Sequence, residues 1–190
     1  IECANWVSTV SPTYAQEILD PWFSYGLDSI LRERSWKLSG ILNGIDMKNY
    51  DPAHDPDLYA PFQPDDLSGK AINKQKLQER LGLAQEPAVP LVGMVTRLVA
   101  QKGLDLVQEG LEQLLWDTDL QFVILGSGDW EYECFFRDLQ QRFPGRVVAC
   151  HGFVPELSRK IYAASDLFLM PSKSEPCGLS QMIALRYGAI

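Results

Sequence analysis

A four-residue loop, Glu-Pro-Cys-Gly at residues 175–178, has a composition and position typical of ligand-binding loops in parallel α/β proteins. The apolar run at residues 166–170 predicts a buried parallel strand before it, and helical spacing over 179–187 predicts a helix after it. A helix N-terminus has unpaired N–H groups and about half a positive charge, so it attracts phosphate. Gly178 lets a ligand approach the backbone, and Glu175 would face the group that the phosphate carries. An ordinary strand-to-helix turn explains this loop equally well on its own.

Arg97 and Lys102 form a second candidate site, five residues apart across another predicted strand-to-helix loop. Two cations next to a helix N-terminus oppose the helix dipole unless an anion lies between them. A diphosphate meets that requirement, with each charge-assisted hydrogen bond contributing about 1.5–3 kcal/mol. The alternative is a solvated arginine and lysine with no ligand.

The Gly126-Ser127-Gly128 turn resembles half of a dinucleotide-binding fingerprint. Glu131 stands where the third glycine would be, which disfavours NAD but leaves a nucleotide or sugar near Gly126 and Ser127 as a candidate ligand. Phe153 follows the next predicted strand and either stacks on a base or packs in the core. His54 and His151 do not pair with a nearby serine or cysteine nucleophile, so no hydrolytic triad is predicted.

These residues are positioned by a regular alternation of predicted strands and helices. Apolar strands that alternate with amphipathic helices predict an α/β, Rossmann-like parallel sheet with helices on both faces. Because ligands bind outside the carboxyl ends of such strands, the four loops are expected to converge on one crevice. The predicted strands cover residues 91–96, 121–125, 147–150 and 166–170, and the predicted helices 71–81, 103–115, 130–143, 155–164 and 179–187.

Composition excludes several classes of protein. With 190 residues, 46% hydrophobic and 22% charged, the chain resembles an ordinary globular domain, and its apolar runs are too short for a membrane span. A net charge of −8 disfavours nucleic acid as a partner. The four cysteines are widely spaced, which disfavours zinc and is typical of reduced thiols.

The first third of the chain has a different pattern. A strand is predicted at 6–10, a helix starting at Ser11-Pro12, another helix at 27–34 and a strand at 40–42, followed by a long irregular segment over 47–67. Such segments are usually functional, linking or mobile. Both termini have the composition of strands, so we expect a piece of a larger protein.

Four motifs together resemble the glycogen/starch synthase family that uses ADP-glucose, in order and spacing along nearly the whole chain. They are residues 9–18 (TVSPTYAQEI), residues 40–46 (GILNGID), Arg97 with residues 101–103 (QKG), and residues 175–181 (EPCGLSQ). The family has the GT-B architecture of two Rossmann-like domains. The resemblance therefore implies that residues 1–36 are the end of the N-terminal domain. Residues 37–190 would be most of the C-terminal, nucleotide-sugar-binding domain.

The resemblance also implies residue roles. Arg97 and Lys102 match the pair that grips the diphosphate, and Glu175 matches the acidic residue opposite the donor glucose. The remaining matches are substrate contacts: Asn43, Gly126, Ser127, Phe153, Cys177, Gly178 and Leu179. The implied reaction transfers glucose from ADP-glucose to the non-reducing end of an α-1,4-glucan with retention, without a cofactor or metal, in the bacterial cytosol or plastid stroma.

Departures from the family leave alternatives open. Ser174 replaces an aromatic residue, and the Lys-Thr-Gly-Gly-Leu loop of the N-terminal domain is absent. The chain on its own is therefore expected to bind part of a nucleotide but not to elongate glucan. The alternatives are a GT-B enzyme or epimerase that uses another nucleotide sugar, and a non-catalytic fragment that binds nucleotide sugar or glucan.

Overall fold

The protein consists of two compact units, in a computed structural model that describes residues 1–190. The smaller unit contains residues 1–45 and 174–179, and the larger contains 46–173 and 180–190. The predicted boundary after residue 36 concerns the correspondence with the two domains of a GT-B enzyme, and it stays a prediction.

The smaller unit contains two short parallel strands, β1 (Val7–Thr9) and β2 (Leu38–Gly40), and two short helices, α1 (Pro12–Glu17) and α2 (Asp28–Glu33). The predicted start of α1 is confirmed, because the Ser11 hydroxyl accepts a hydrogen bond from the Tyr14 N–H at 2.9 Å. β2 ends at Gly40, two residues earlier than predicted. A Cβ at Gly40 would lie 2.0 Å from the Ser11 carbonyl oxygen, so only glycine fits there.

The larger unit is built on a four-stranded parallel sheet with the order β5-β4-β3-β6. The alternation of strands and helices is as predicted. The strands are β3 (Leu91–Val95), β4 (Gln121–Gly126), β5 (Val147–His151) and β6 (Leu167–Phe168), and the helices are α3 (Ser68–Leu81), α4 (Leu104–Asp117), α5 (Trp130–Arg142), α6 (Pro155–Ala164) and α7 (Leu179–Arg186).

Helices cover both faces of this sheet, which confirms the predicted fold class. Alternate residues of β4 point to opposite sides, as the pleat requires. Phe122 and Ile124 pack with residues of α4 and α5 in one buried cluster. Val123 and Leu125 pack with residues of α3 and α6 in the other. The six residues of β4 are buried, as a central parallel strand predicts.

The prediction of a buried strand at residues 166–170 is wrong in its length and burial. β6 has two residues, and Leu167 is 43% exposed because β6 pairs with β3 at the edge of the described sheet. The Asp166 carboxylate accepts hydrogen bonds from the Leu91 N–H (2.8 Å) and from Lys74 Nζ (2.7 Å). The Asp166 side chain therefore lies just before the start of β6 and fixes this strand against β3.

Residues 46–67 contain no helix or strand, as predicted, and are held by side chains of the surrounding helices. Asn73 of α3 is fully buried, accepts a hydrogen bond from the Tyr59 N–H (2.9 Å) and donates one to the Ala60 carbonyl (2.6 Å). Arg186 of α7 donates to the Tyr50 carbonyl (3.2 Å) and to Asp51 (3.0 Å). The segment is thus ordered by long-range contacts and not by local structure.

No helix of the protein combines the length and apolarity needed to cross a bilayer. The structure also contains no group of three or more His, Cys, Asp or Glu side chains arranged to hold a metal ion.

Glu156, in the first turn of α6, gives a prediction for acid stability. Hydrogen bonds from Lys160 (2.7 Å) and Arg80 (2.9 Å), with their positive charges, lower its pKa from 4.5 to about 2. A carboxylate whose pKa is lowered by folding contributes stability above its unfolded pKa and loses it as the pH falls toward its folded pKa. Glu156→Gln is therefore expected to flatten the fall in unfolding free energy between pH 4.5 and about 2, measured by urea denaturation. Glu109→Gln, on an exposed part of α4, is the control for loss of one carboxylate, and parallel curves for Glu156→Gln and the native chain would contradict the prediction.

Candidate functional site

A cavity of about 390 Å³ lies at the carboxyl ends of β3, β4 and β5 in the larger unit. The end of each strand contributes to its wall, as expected for an open parallel sheet. α6 and α7 supply further wall residues, and the segment 46–67 supplies Tyr50. The residues from the strand ends are Val95, Thr96, Arg97, Leu125, Gly126, Ser127, Gly152 and Phe153.

Leu98 fixes the loops after β3 and β4 against each other. Its N–H donates to the Ser127 carbonyl (2.9 Å), and its carbonyl accepts from the Asp129 N–H (2.7 Å). The contact requires small residues, since a Cβ at Gly126 would lie 1.9 Å from the Thr96 carbonyl oxygen and one at Gly128 2.3 Å from that of Leu98. Loop packing therefore explains both glycines, and the predicted ligand contact of Gly126 and Ser127 rests on their position in the cavity wall.

The cavity wall contains no aspartate or glutamate, although the chain carries a net charge of −8. Arg97 is exposed, and its guanidinium makes no hydrogen bond or ion pair within the chain. The hydroxyls of Thr96 and Ser127 lie in the same wall. The cavity is suitable for an anion, because it offers hydrogen-bond donors and the unpaired Arg97 cation and contains no carboxylate that would repel the anion.

The aromatic residues of the cavity differ in exposure. Phe153 is 92% exposed after β5, so the alternative that it packs in the core is wrong, while its predicted stacking on a base stays a prediction. Tyr162 of α6 is 4% exposed, and burial raises the pKa of its hydroxyl, so this residue remains neutral at physiological pH. Tyr50 is half-buried.

Lys102 is not among the residues that line the cavity. It is half-buried at the end of a 3₁₀ turn, Ala100–Lys102, and Gly103 follows with φ +69°. A Cβ at Gly103 would lie 2.0 Å from the Pro171 carbonyl oxygen, and the Lys173 N–H donates to the Gln101 carbonyl at 3.0 Å. The structure therefore packs the Lys102 turn directly against residues 171–173, and the predicted phosphate contact of Lys102 stays a prediction.

The other predicted site residues belong to the smaller unit. Glu175 and Cys177 are half-buried, and Gly178 is buried with φ +74°. Leu179, 44% exposed, is the first residue of α7, as expected for a loop that ends at a helix N-terminus. Asn43 is exposed in a stretch without regular structure. Their roles toward a substrate stay predictions.

The sequence analysis missed Tyr50, Ser158, Arg159 and Ser180 among the residues that line the cavity. Tyr50 lies at the start of the long irregular segment, and the length of that segment was its only signal. Ser158 and Arg159 lie on α6, where helical periodicity alone does not distinguish a cavity face from a solvated one.

Two family profiles match the chain. The profile described as "Glycosyl transferases group 1" matches residues 89–190, and the one described as "Starch synthase catalytic domain" matches residues 1–33.

Curated relatives match the whole chain. The glycogen synthase of Streptococcus equi subsp. equi is 52% identical over 199 residues, which cover 100% of this chain and 42% of that protein. The glycogen synthase of Bacillus licheniformis is 49% identical over 190 residues, which cover 100% of this chain and 39% of that protein. The chain thus spans about two fifths of the length of these relatives.

Solved structures give the same grouping. The catalytic domain of Starch Synthase IV from Arabidopsis thaliana, bound to ADP and acarbose, superposes with a TM-score of 0.91 at 47% identity, covering 98% of this chain and 38% of that one. Anabaena HepE, in complex with UDP and glucose, has a TM-score of 0.62 at 21% identity, covering 98% and 43%, and is similar in fold alone. The parallel sheet and the two profiles agree with the similarity to these relatives over the whole of this chain. The chain therefore belongs to the group 1 glycosyl transferases, and over nearly its whole length it is similar to glycogen and starch synthases.

Proposed function

We propose that the cavity of the larger unit binds the ADP part of ADP-glucose. In this proposal, the protein transfers glucose from ADP-glucose to the non-reducing end of an α-1,4-glucan, with retention of configuration. The observation that carries the proposal is the unpaired Arg97 guanidinium in a cavity without carboxylates. In support, the similar starch synthase structure has ADP and acarbose bound.

Arg97 would act chiefly on the leaving group. When the bond between glucose and diphosphate breaks, negative charge accumulates on the diphosphate oxygens. A cation already fixed beside them stabilises that charge more in the transition state than in the ground state, which lowers the barrier. Thr96 and Ser127 would donate hydrogen bonds to the same oxygens or to the ribose.

The other roles in this proposal rest on the family resemblance. Lys102 would assist Arg97, Glu175 and Asn43 would face the donor glucose, and Phe153 would stack on adenine. Cys177, Gly178 and Leu179 would contact sugar and phosphates. The same proposal includes an α-1,4-glucan as the acceptor and the N-terminal GT-B domain as a partner. It also includes a reaction that requires no cofactor or metal, and a location in the bacterial cytosol or plastid stroma.

Calorimetric titration of the chain with ADP, ADP-glucose and UDP-glucose tests the proposal. We expect ADP and ADP-glucose to bind at one site, and UDP-glucose to bind at least about tenfold more weakly. Tighter binding of UDP-glucose would support the alternative of a GT-B enzyme with another donor. Absence of binding for all three ligands would overturn the proposal.

A further inference from the structure

We propose that Tyr50 contacts the nucleoside half of the bound nucleotide, and that Arg159 is a positioning residue that fixes the Tyr50 ring. This inference rests on the proposed function, since it assumes a nucleotide in the cavity.

The Arg159 guanidinium is held by contacts within the protein. Nη1 donates to the Asn49 carbonyl (2.6 Å) and to Asp55 (2.8 Å), and Nη2 donates to the Asn49 side chain (2.8 Å). Nε lies 3.3 Å from Asp57. The Arg159 side chain is 13% exposed and that of Asp55 fully buried. Arg97 and Arg159 both line the cavity, but Arg159 is ion-paired with Asp55 and Asp57, whereas Arg97 has no ion pair within the chain that would compete with an anion.

These contacts fix the guanidinium plane next to Tyr50. The centre of the Arg159 guanidinium lies 4.9 Å from the centroid of the Tyr50 ring, within the range of a cation–π contact. Arg186 holds the Tyr50 carbonyl from a second helix. An aromatic side chain held in this way has lost its rotamer freedom before a ligand arrives, so stacking on it costs little further entropy.

The chemistry of the two side chains assigns Tyr50 to the nucleoside half of the ligand. The guanidinium that can neutralise phosphate belongs to Arg97, after β3. Tyr50 brings an aromatic ring and no charge, and such rings bind bases by stacking. Phe153, the exposed aromatic residue after β5, would provide the other predicted stacking contact, so the nucleoside would meet two aromatic residues from separate elements.

A second tyrosine of the same segment provides a matched control. The Tyr59 ring centroid lies 5.0 Å from Lys160 Nζ, also a cation–π geometry, but Tyr59 does not line the cavity. Tyr59→Leu therefore tests whether loss of any such ring from residues 46–67 changes binding.

The test measures ADP affinity by calorimetry for the native chain, Tyr50→Leu, Tyr50→Phe, Tyr59→Leu and Arg159→Lys. Tyr50→Leu should weaken binding about tenfold, while Tyr50→Phe and Tyr59→Leu should stay within about twofold. Arg159→Lys keeps a positive charge for Asp55 but lacks the planar guanidinium, and we expect about a threefold loss. Thermal unfolding verifies that each variant folds, and Tyr50→Met replaces Tyr50→Leu if the latter does not.

The double variant distinguishes positioning from a general structural role. If Arg159 acts through Tyr50, Arg159→Lys should cost no further ADP affinity once Tyr50→Leu is present. Additive losses, or a Tyr50→Leu chain that binds ADP like the native chain, would overturn this inference and leave the proposed function intact. If the native chain does not bind ADP, both are wrong.

Discussion

Arg97→Met is expected to weaken ADP binding by about 10-fold to 100-fold, the largest effect of any single substitution in the cavity. The substitution keeps the length of the side chain but removes its positive charge and its donors. A charge-assisted hydrogen bond to phosphate contributes about 1.5–3 kcal/mol, and about 1.4 kcal/mol corresponds to a factor of ten in affinity. Since Arg97 has no partner within the chain, its loss leaves no protein group unpaired, and stability should change little. Calorimetric titration with ADP measures the effect, and thermal unfolding measures stability.

Arg137→Met is the matched control for this experiment. Arg137 is an exposed arginine on α5 that does not line the cavity, so its removal changes the net charge by the same amount. We expect its ADP affinity to remain within about twofold of the native value, since an exposed charge outside the cavity is largely screened from the ligand by salt. Equal losses for the two variants would mean that net charge, and not a contact in the cavity, governs binding.

Gly103→Ala is expected to lower the free energy of unfolding by at least about 2 kcal/mol. Two effects add: φ of +69° disfavours any residue with a Cβ, by about 1–2 kcal/mol, and overpacking costs about 1–3 kcal/mol. The new Cβ would lie 2.0 Å from the Pro171 carbonyl oxygen, which is backbone and cannot rotate away. Urea denaturation measures the change.

Gly110→Ala, in the helix that follows this turn, is expected to change the unfolding free energy in the opposite direction. Gly110 lies within α4, and a Cβ there would meet nothing within 4 Å. Alanine should therefore raise the unfolding free energy by about 0.5–1 kcal/mol, from helix propensity alone. If Gly103→Ala is as stable as the native chain, then the turn that carries Lys102 does not pack tightly against the Pro171 backbone, and the structural reason for Gly103 is wrong.

The sheet and its helices could be predicted because their signals are local. Residues 122–125 form an uninterrupted apolar run, and the structure confirms the helix start predicted at Ser11-Pro12 and the helix end predicted at residue 81. The crevice followed from sequence in part, since parallel strands place their carboxyl ends at one edge. The loops after β3, β4 and β5 line the cavity, but the predicted fourth loop, after β6, does not. β6 is shorter than predicted at both ends. At its start, the Asp166 carboxylate accepts the Leu91 N–H, a contact that hydrophobic periodicity does not reveal.

The cavity wall could be predicted only in part, because some of its contacts join distant residues. Arg159 and Asn49 are 110 positions apart, and no pattern in either segment indicates their hydrogen bonds. The place of Arg97 in the cavity wall could be predicted because its position directly after a predicted strand is a local feature. The position of Lys102 outside the cavity wall could not be predicted, because it depends on the left-handed turn at Gly103 and on the contact of that turn with Pro171.

The two walls of the cavity are held by different kinds of bond, and they therefore differ in stiffness. On the sheet side, main-chain hydrogen bonds such as Gly152 N–H to the Gly126 carbonyl (3.1 Å) continue the β ladder, so this wall can open only when the sheet does. On the other side, side chains of three helices hold the irregular segment 46–67 by hydrogen bonds. Detaching this segment costs less free energy than unfolding the whole protein. A small molecule would therefore enter and leave the cavity by displacement of the irregular segment. A ligand that contacts both walls would couple the motion of the segment to that of the sheet.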